Sequence, residues 1–308
     1  MPYIRLGKTE KAIMISASVV IWAAVITAYF LYYRLTLEEI FPKTAGVRLP
    51  IPMSDKFILG LYAATIASLL PYSIVSYLND RYVESIERTL PDVFKALSDG
   101  IRAGMTLPHA VEETGRGGYG PMGELLKKIA ARASLGLDFK EAVDKTVEGI
   151  EVPSLKRAAR VLKIAYESGG RTFEVLDTAA KVYRLLWSYV YERRTSVRQY
   201  VLTVYASLLI FLVIGMVLVK VFFEPLAVMG ETLGGMLFVG VANPALYKAV
   251  VMYTAFVEGI LGGLIAGKMS RGTVKSGVPH IVAQLAIGYA FFSLAAPLME
   301  GMIAIPTP

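Results

Sequence analysis

GMTLPHAVEET (104–114) returns as GLDFKEAVDKT (136–146), with Gly, Ala, Val and Thr held and Thr106 replaced by Asp138. A shorter copy, GRTFEVLDT, starts at Gly170. Each copy sets a glycine two residues ahead of a Thr or Asp suited to an N-cap, then opens an apolar run of helical period. The repeat therefore predicts short helices turning back on one another. Working outward from it, six helices are expected near 86–102, 107–113, 122–134, 139–149, 153–168 and 173–198. Asp138 with Glu141 has the spacing of a capping box, and Pro91 and Pro153 suit first-turn positions.

This segment also holds most of the charge. Of 57 charged side chains in 308 residues, 37 lie between Asn79 and Arg198, which makes that stretch water-facing. The whole chain is 55% hydrophobic with a mean hydropathy of +0.53, too apolar for an ordinary soluble protein. Five stretches approach the roughly 20 apolar residues that cross a bilayer: 12–33, 57–78, 199–223, 247–267 and 279–299. The expected class is all-α: a polytopic membrane protein with two spans in 1–78, a six-helix cytoplasmic bundle in 79–198 and three spans in 199–308. Between Lys181 and Gly215 no breaker intervenes, so the last bundle helix is expected to run straight into the third span.

Loop charges give an orientation. An amino terminus in the cytoplasm puts the charged segment inside together with Lys268, Arg271 and Lys275. It leaves the 224–246 loop, with Glu224 and Glu231 and no Lys or Arg, outside along with the carboxyl terminus. Against this, the first outer loop carries Arg34, Lys43, Arg48 and Lys56, mixed with Glu38, Glu39 and Asp55. Arg5, Lys8 and Lys11 precede the first span and no small-residue cleavage site follows it, so it reads as a retained anchor. Gly230, Gly234, Gly235 and Gly240 leave open whether the outer loop re-enters the membrane.

Composition removes several chemistries. There is no Cys, and only His109 and His280 supply imidazole, so disulfide, thiolate and zinc chemistry are not expected. His109 reads as an exposed first-turn residue and His280 as a helix-start residue. The sequence pI near 9.3 reflects basic residues beside membrane spans, and no nucleic-acid partner is expected. Gly115, Gly117 and Gly120 spell G-x-G-x-x-G but lie between helices, with no strand ahead of them. Gly262, Gly267 and Lys268 copy P-loop spacing, yet Met269 stands where magnesium would need Ser or Thr. No nucleotide, cofactor or metal site and no catalytic constellation emerges, so the chain is not expected to be an enzyme.

Two features point to contacts. On the fifth bundle helix Lys156, Arg160 and Lys163 share an arc with Arg157 flanking, opposite Leu155, Ala158, Leu162 and Ala165. With Lys127, Lys128 and Arg132 nearby, this basic stripe suits an acidic partner surface or anionic lipid; a solvated face is the plainer reading. In the fourth span Glu258 sits ten residues before Lys268, about 15 Å into the membrane, where an ionisable group needs a partner. Beside it Gly259, Gly263 and Gly267 form a seam for close helix packing. Lys220, near the outer end of the third span, is expected to snorkel, and Glu300 to lie at the outer end of the fifth.

The stretches ALSDGIRAGMTLPHAVEET, GLDFKEAVDKT and KIAYESGGRTFEVLDTAAKVYR resemble the cytoplasmic domain of the type II secretion F family, the platform proteins of type II secretion, type IV pili, Tad pili and archaella. EGILGGLIAGKMSRGTVKSGVPH (258–280) is similar to the carboxy-terminal part of archaeal members, archaellum J proteins included, so an archaeal-type pilus platform is the nearest match. The resemblance implies membrane helices that gather pilin subunits above a hexameric secretion ATPase, with no hydrolysis by this chain. One bundle where larger members have two implies a homodimer or a second platform chain. By this reading the basic residues contact the ATPase, and Glu258 meets a second subunit or a pilin. The competing readings are a receptor or sensor with a helical module, or a small transporter, which would need paired halves and several polar groups near the midplane.

Overall fold

The structure, a computed structural model, describes residues 7–41, 43–44, 47–48, 52–227 and 243–298. Its helices are α1 (Lys8–Tyr33), α2 (Leu37–Ile40), α3 (Asp55–Arg102), α4 (Leu107–Arg116), α5 (Gly120–Ser134), α6 (Phe139–Val147), α7 (Pro153–Glu167), α8 (Thr172–Val217), α9 (Pro244–Arg271) and α10 (Val278–Ala290). A two-residue antiparallel ladder, Lys43–Thr44 with Val47–Arg48, is the only pairing of extended backbone among the described residues. The chain is all-α. Five helical stretches are long and apolar enough to cross a membrane: Ala12–Tyr33, Asp55–Arg102, Gly169–Ala227, Pro244–Arg271 and Val274–Leu298. The 228–242 part of the expected outer loop, with Glu231 and its four glycines, lies outside the described residues, as do Arg5, Met299 and Glu300.

Two compact units divide the chain, one built on Tyr77–Ser196 and the other on Lys8–Ser76 with the residues from Val197 onward. In the first, α4 to α7 join the carboxy-terminal part of α3 and the amino-terminal part of α8 around one core. Ile86, Val93 and Phe94 of α3, Val111 of α4, Leu126 of α5, Val143 of α6, Ala158 of α7 and Leu176 of α8 are all fully buried there. Apolar residues recurring every three or four positions place that stripe inward, and the charged positions between them face solvent.

The repeat's turn chemistry holds in part. Gly104 and Gly136 take φ of 90° and 93°, the left-handed backbone that closes one helix before the next. Asp138 accepts from the backbone N–H of Lys140 at 3.0 Å, but the box is half-formed because Glu141 pairs instead with Lys145 at 2.8 Å. Thr106 sits at the N-cap position of α4 without a side-chain bond. In the third copy the left-handed glycine is Gly169 (φ 52°), one residue early. The buried Thr172 hydroxyl bonds carbonyls behind it, those of Ala165 and Gly169, so it ties off α7 rather than opening α8.

A separate helix opening near Ile86 is not what forms. Pro91 lies inside α3, which runs unbroken for 48 residues. Between Gly60 and Gly100 the sequence has no glycine, and burial of Ile86, Leu90, Val93 and Leu97 outweighs the one backbone hydrogen bond that Pro91 removes. α8 is also continuous, for 46 residues, and passes into a π-turn at Leu218–Phe223.

The second unit packs on Ile58, Tyr62, Leu208, Leu212, Met252, Ala255, Ile281 and Leu285, with Tyr62 donating to the carbonyl of Met252 at 2.8 Å. None of the apolar window of α1 is buried.

Candidate functional site

On α7, Leu155, Ala158, Leu162 and Ala165 are buried while Lys156, Arg157 and Arg160 are exposed. These three cations have no carboxylate partner among the described residues. Lys163 differs: it is only 28% exposed and reaches Asp144 of α6 at 2.8 Å. One turn along each helix, Lys140 of α6 reaches Glu167 of α7 at 3.1 Å. The two pairs run in opposite sense and clamp α6 to α7, and the Glu167 hydrogen bond and charge hold the Lys140 ammonium above its ordinary pKa. Lys163 therefore belongs to the bundle's own packing, and the free stripe is Lys156, Arg157 and Arg160.

That stripe borders a groove of about 650 Å³ whose rim carries Arg157, Arg160 and Arg171, the last paired with Glu174 at 3.3 Å, and whose floor is Val175, Ala179 and Leu186 of α8. Glu151 and Pro153 close a smaller recess beside Lys156. The arrangement offers two unpaired guanidinium groups, those of Arg157 and Arg160, beside apolar surface, a combination that favours a carboxylate-bearing partner.

The α5 cations do not join this surface. α6 packs on both α5 and α7, and so stands between the two sets. Arg132 donates to Thr146 of α6 at 2.8 Å, and Lys127 pairs with Glu124 at 2.9 Å, holding that carboxyl below its usual value through the hydrogen bond first and the charge second. Lys128 is exposed. His109 is exposed too, 3.9 Å from Glu112.

The G-x-G-x-x-G glycines serve packing and turns. A Cβ on Gly115 would lie 3.0 Å from the backbone nitrogen of Lys127, so its absence lets α4 meet α5, while Gly120 opens α5 at φ 54°. The P-loop-like glycines likewise face protein. A Cβ on Gly262 would sit 2.6 Å from the Gln284 Oε1, and one on Gly267 would collide with the backbone of Gly277; on the seam residue Gly263 it would sit 2.5 Å from the Ile281 nitrogen. Gly259 meets Leu285. The seam's partner is α10 with the 3-10 turn ahead of it.

Glu258 is half-buried, and the Ser207 hydroxyl of α8 lies 3.2 Å from its Oε1, so a helix of the same chain supplies a partner. Lys220 does not simply snorkel: it pairs with Glu224 one turn on. His280 is more than a helix-start residue, with its Nδ1 2.9 Å from the Tyr205 hydroxyl. One turn beyond it, Gln284 is 1% exposed, lies over Gly262, and among the described residues finds no hydrogen-bond partner for either amide atom. Sequence reading passed over Gln284, although an amide in so apolar a span was a visible signal. Among the described residues no cluster of His, Asp and Glu could hold a metal ion.

Comparison with known proteins adds three findings. Residues 93–219, from α3 to the π-turn after α8, match the family model described as Type II secretion system (T2SS), protein F. An uncharacterized protein of Methanocaldococcus jannaschii is 27% identical over 224 residues, which cover 73% of this chain and 36% of that protein. The chain thus spans about a third of the length of that relative. No solved structure matches.

Proposed function

We propose, for a chain that belongs through residues 93–219 to the type II secretion system protein F family, that it is the multi-pass membrane platform of a pilus-like or archaellum-like assembly machine. Its bundle receives a hexameric secretion ATPase, its spans gather pilin subunits, and it hydrolyses nothing itself. It works with a second copy or a second platform chain. The bundle and the α9–α10 connection, with Lys268, Arg271 and Lys275, face the cytoplasm, in keeping with the bias of basic residues toward that side.

The observation that carries this reading is the exposed, unpaired Lys156, Arg157 and Arg160 beside an arginine-rimmed apolar groove. Such a surface steers and orients an acidic partner. The test is a pull-down of secretion ATPases by detergent-solubilised full-length protein, read by mass spectrometry. Triple reversal to Glu at 156, 157 and 160 is expected to abolish recovery, whereas reversal at Lys127 and Lys128, set apart by α6, is expected to leave it. Recovery unaffected by the triple reversal sinks the proposed contact face, and no ATPase recovered by well-folded protein sinks the platform reading.

A further inference from the structure

α1 is held to α3 along only part of its length. The Trp22 indole N–H donates to Thr65 at 3.4 Å, the Tyr29 ring covers Gly60 closely enough that a Cβ there would be 2.9 Å away, and Phe30 meets Phe57 edge-on at 5.9 Å. All three contacts lie in the Trp22–Phe30 half. Toward the start of α1 the two helices leave a fissure of about 520 Å³, walled by Met14, Ile15 and Val19 on one side and Leu69 and Tyr72 on the other, and reached by Lys275. Gly288 of α10 packs on Tyr62, so the chain running back from it brings Lys275 to the Met14–Tyr72 end. Ser276 is buried and bonded to Thr273 at 2.8 Å, which fixes the turn carrying this lysine.

We propose that this fissure is a binding site for an anionic phospholipid, with an acyl chain lying along α1 and the head-group phosphate on the Lys275 ammonium. Three properties select that occupant. The walls are apolar and belong to membrane-spanning helices, where an empty slot would forfeit dispersion contacts that a hydrocarbon chain restores. From Met14 to Trp22 the slot runs about 12 Å at helical rise, close to the roughly 15 Å of one leaflet's hydrocarbon. At its end Lys275 is exposed and has no carboxylate partner among the described residues, so it is free to meet a phosphate. Trp22 and its bond to Thr65 close the other end.

Trp22 also supplies the probe, because Trp187 is the other tryptophan and can be removed. Full-length W187F protein would be placed in phosphatidylcholine vesicles containing brominated phosphatidylglycerol or brominated phosphatidylcholine, and Trp22 fluorescence recorded against mole fraction. Brominated phosphatidylglycerol is expected to quench at about fivefold lower mole fraction, the preference a single lysine near an anionic surface gives. Lys275→Gln is expected to erase that preference. Ser18→Phe, which leaves the lysine and fills the slot, is expected to weaken quenching by both lipids, and it keeps the proposal open to failure should the Lys275 variant misfold. Equal quenching by the two lipids, or a preference untouched by Lys275→Gln, marks ordinary lipid contact and overturns the site. Absence of quenching by either lipid shows a protein segment in the fissure, and overturns it too.

Discussion

α7 of the bundle buries Leu155, Ala158, Leu162 and Ala165 and turns Lys156, Arg157 and Arg160 to solvent, whereas α9 of the membrane unit buries Gly259, Gly263 and Gly267 and turns Val257, Leu261 and Ile265 outward. In water the apolar face seeks the interior, so size and hydrophobicity mark the core. In a bilayer the surroundings are as apolar as the interior, and helices gain by coming close, so along α9 the face set against α10 is the one with the least side chain. The rule that reads α7 inverts on α9.

The hardest blow to this contrast falls on the seam. Gly263→Leu would drive a side chain into the Ile281 backbone, and is expected to leave no monodisperse protein on size exclusion. In the bundle, Phe94→Ala removes a fully buried ring stacked on Tyr183 at 5.0 Å and should cost about 3–5 kcal/mol, read as lost hydrogen-exchange protection across α3 to α8. Gln284→Leu carries the opposite sign. With both amide atoms unpaired and buried, replacing them by an aliphatic group should stabilise the membrane unit by about 1–3 kcal/mol in a thermal melt. Unchanged or lower stability would mean that the amide has work to do. Lys163→Ala sharpens the picture from the surface, since its pair with Asp144 should be worth at most about 1 kcal/mol despite its short distance.

The smallest effect is a matter of pH. Lys127 lowers the Glu124 pKa in the folded state, so this pair contributes above the carboxyl's ordinary 4.5 and its contribution fades as pH falls through the depressed folded value. Glu124→Gln should therefore remove this small contribution at neutral pH and flatten the acid limb of bundle unfolding below about pH 4.5, so that variant and wild type converge in acid.

How much of this was readable follows from the same inversion. The four short bundle helices, α4 to α7, came out of the sequence within a few residues because amphipathic period survives in water, and of the expected α7 stripe Lys156, Arg157 and Arg160 face solvent while Lys163 does not. Pro91 misled, since a proline is a helix start only where burial does not carry the helix through it. The clamp of Lys163 on Asp144 joins residues nineteen apart in the chain, which no helical spacing shows. In the membrane, span positions were legible from hydropathy alone, and glycine spacing marked the seam. Its partner was not: Gln284 marked a face of the otherwise apolar α10 and was passed over, and the Tyr205–His280 bond joins residues seventy-five apart in the chain.

Only Gly272 and Thr273 separate α9 from the 3-10 turn that leads into α10, and Gly272 makes the reversal at φ 76°. So short a connection makes α9 and α10 neighbours before any other contact is formed, and α10 can leave α9 only by breaking the turn itself. The pair forms one hairpin closed along its glycines, and within it Gln284 is set against Gly262 and turned away from lipid.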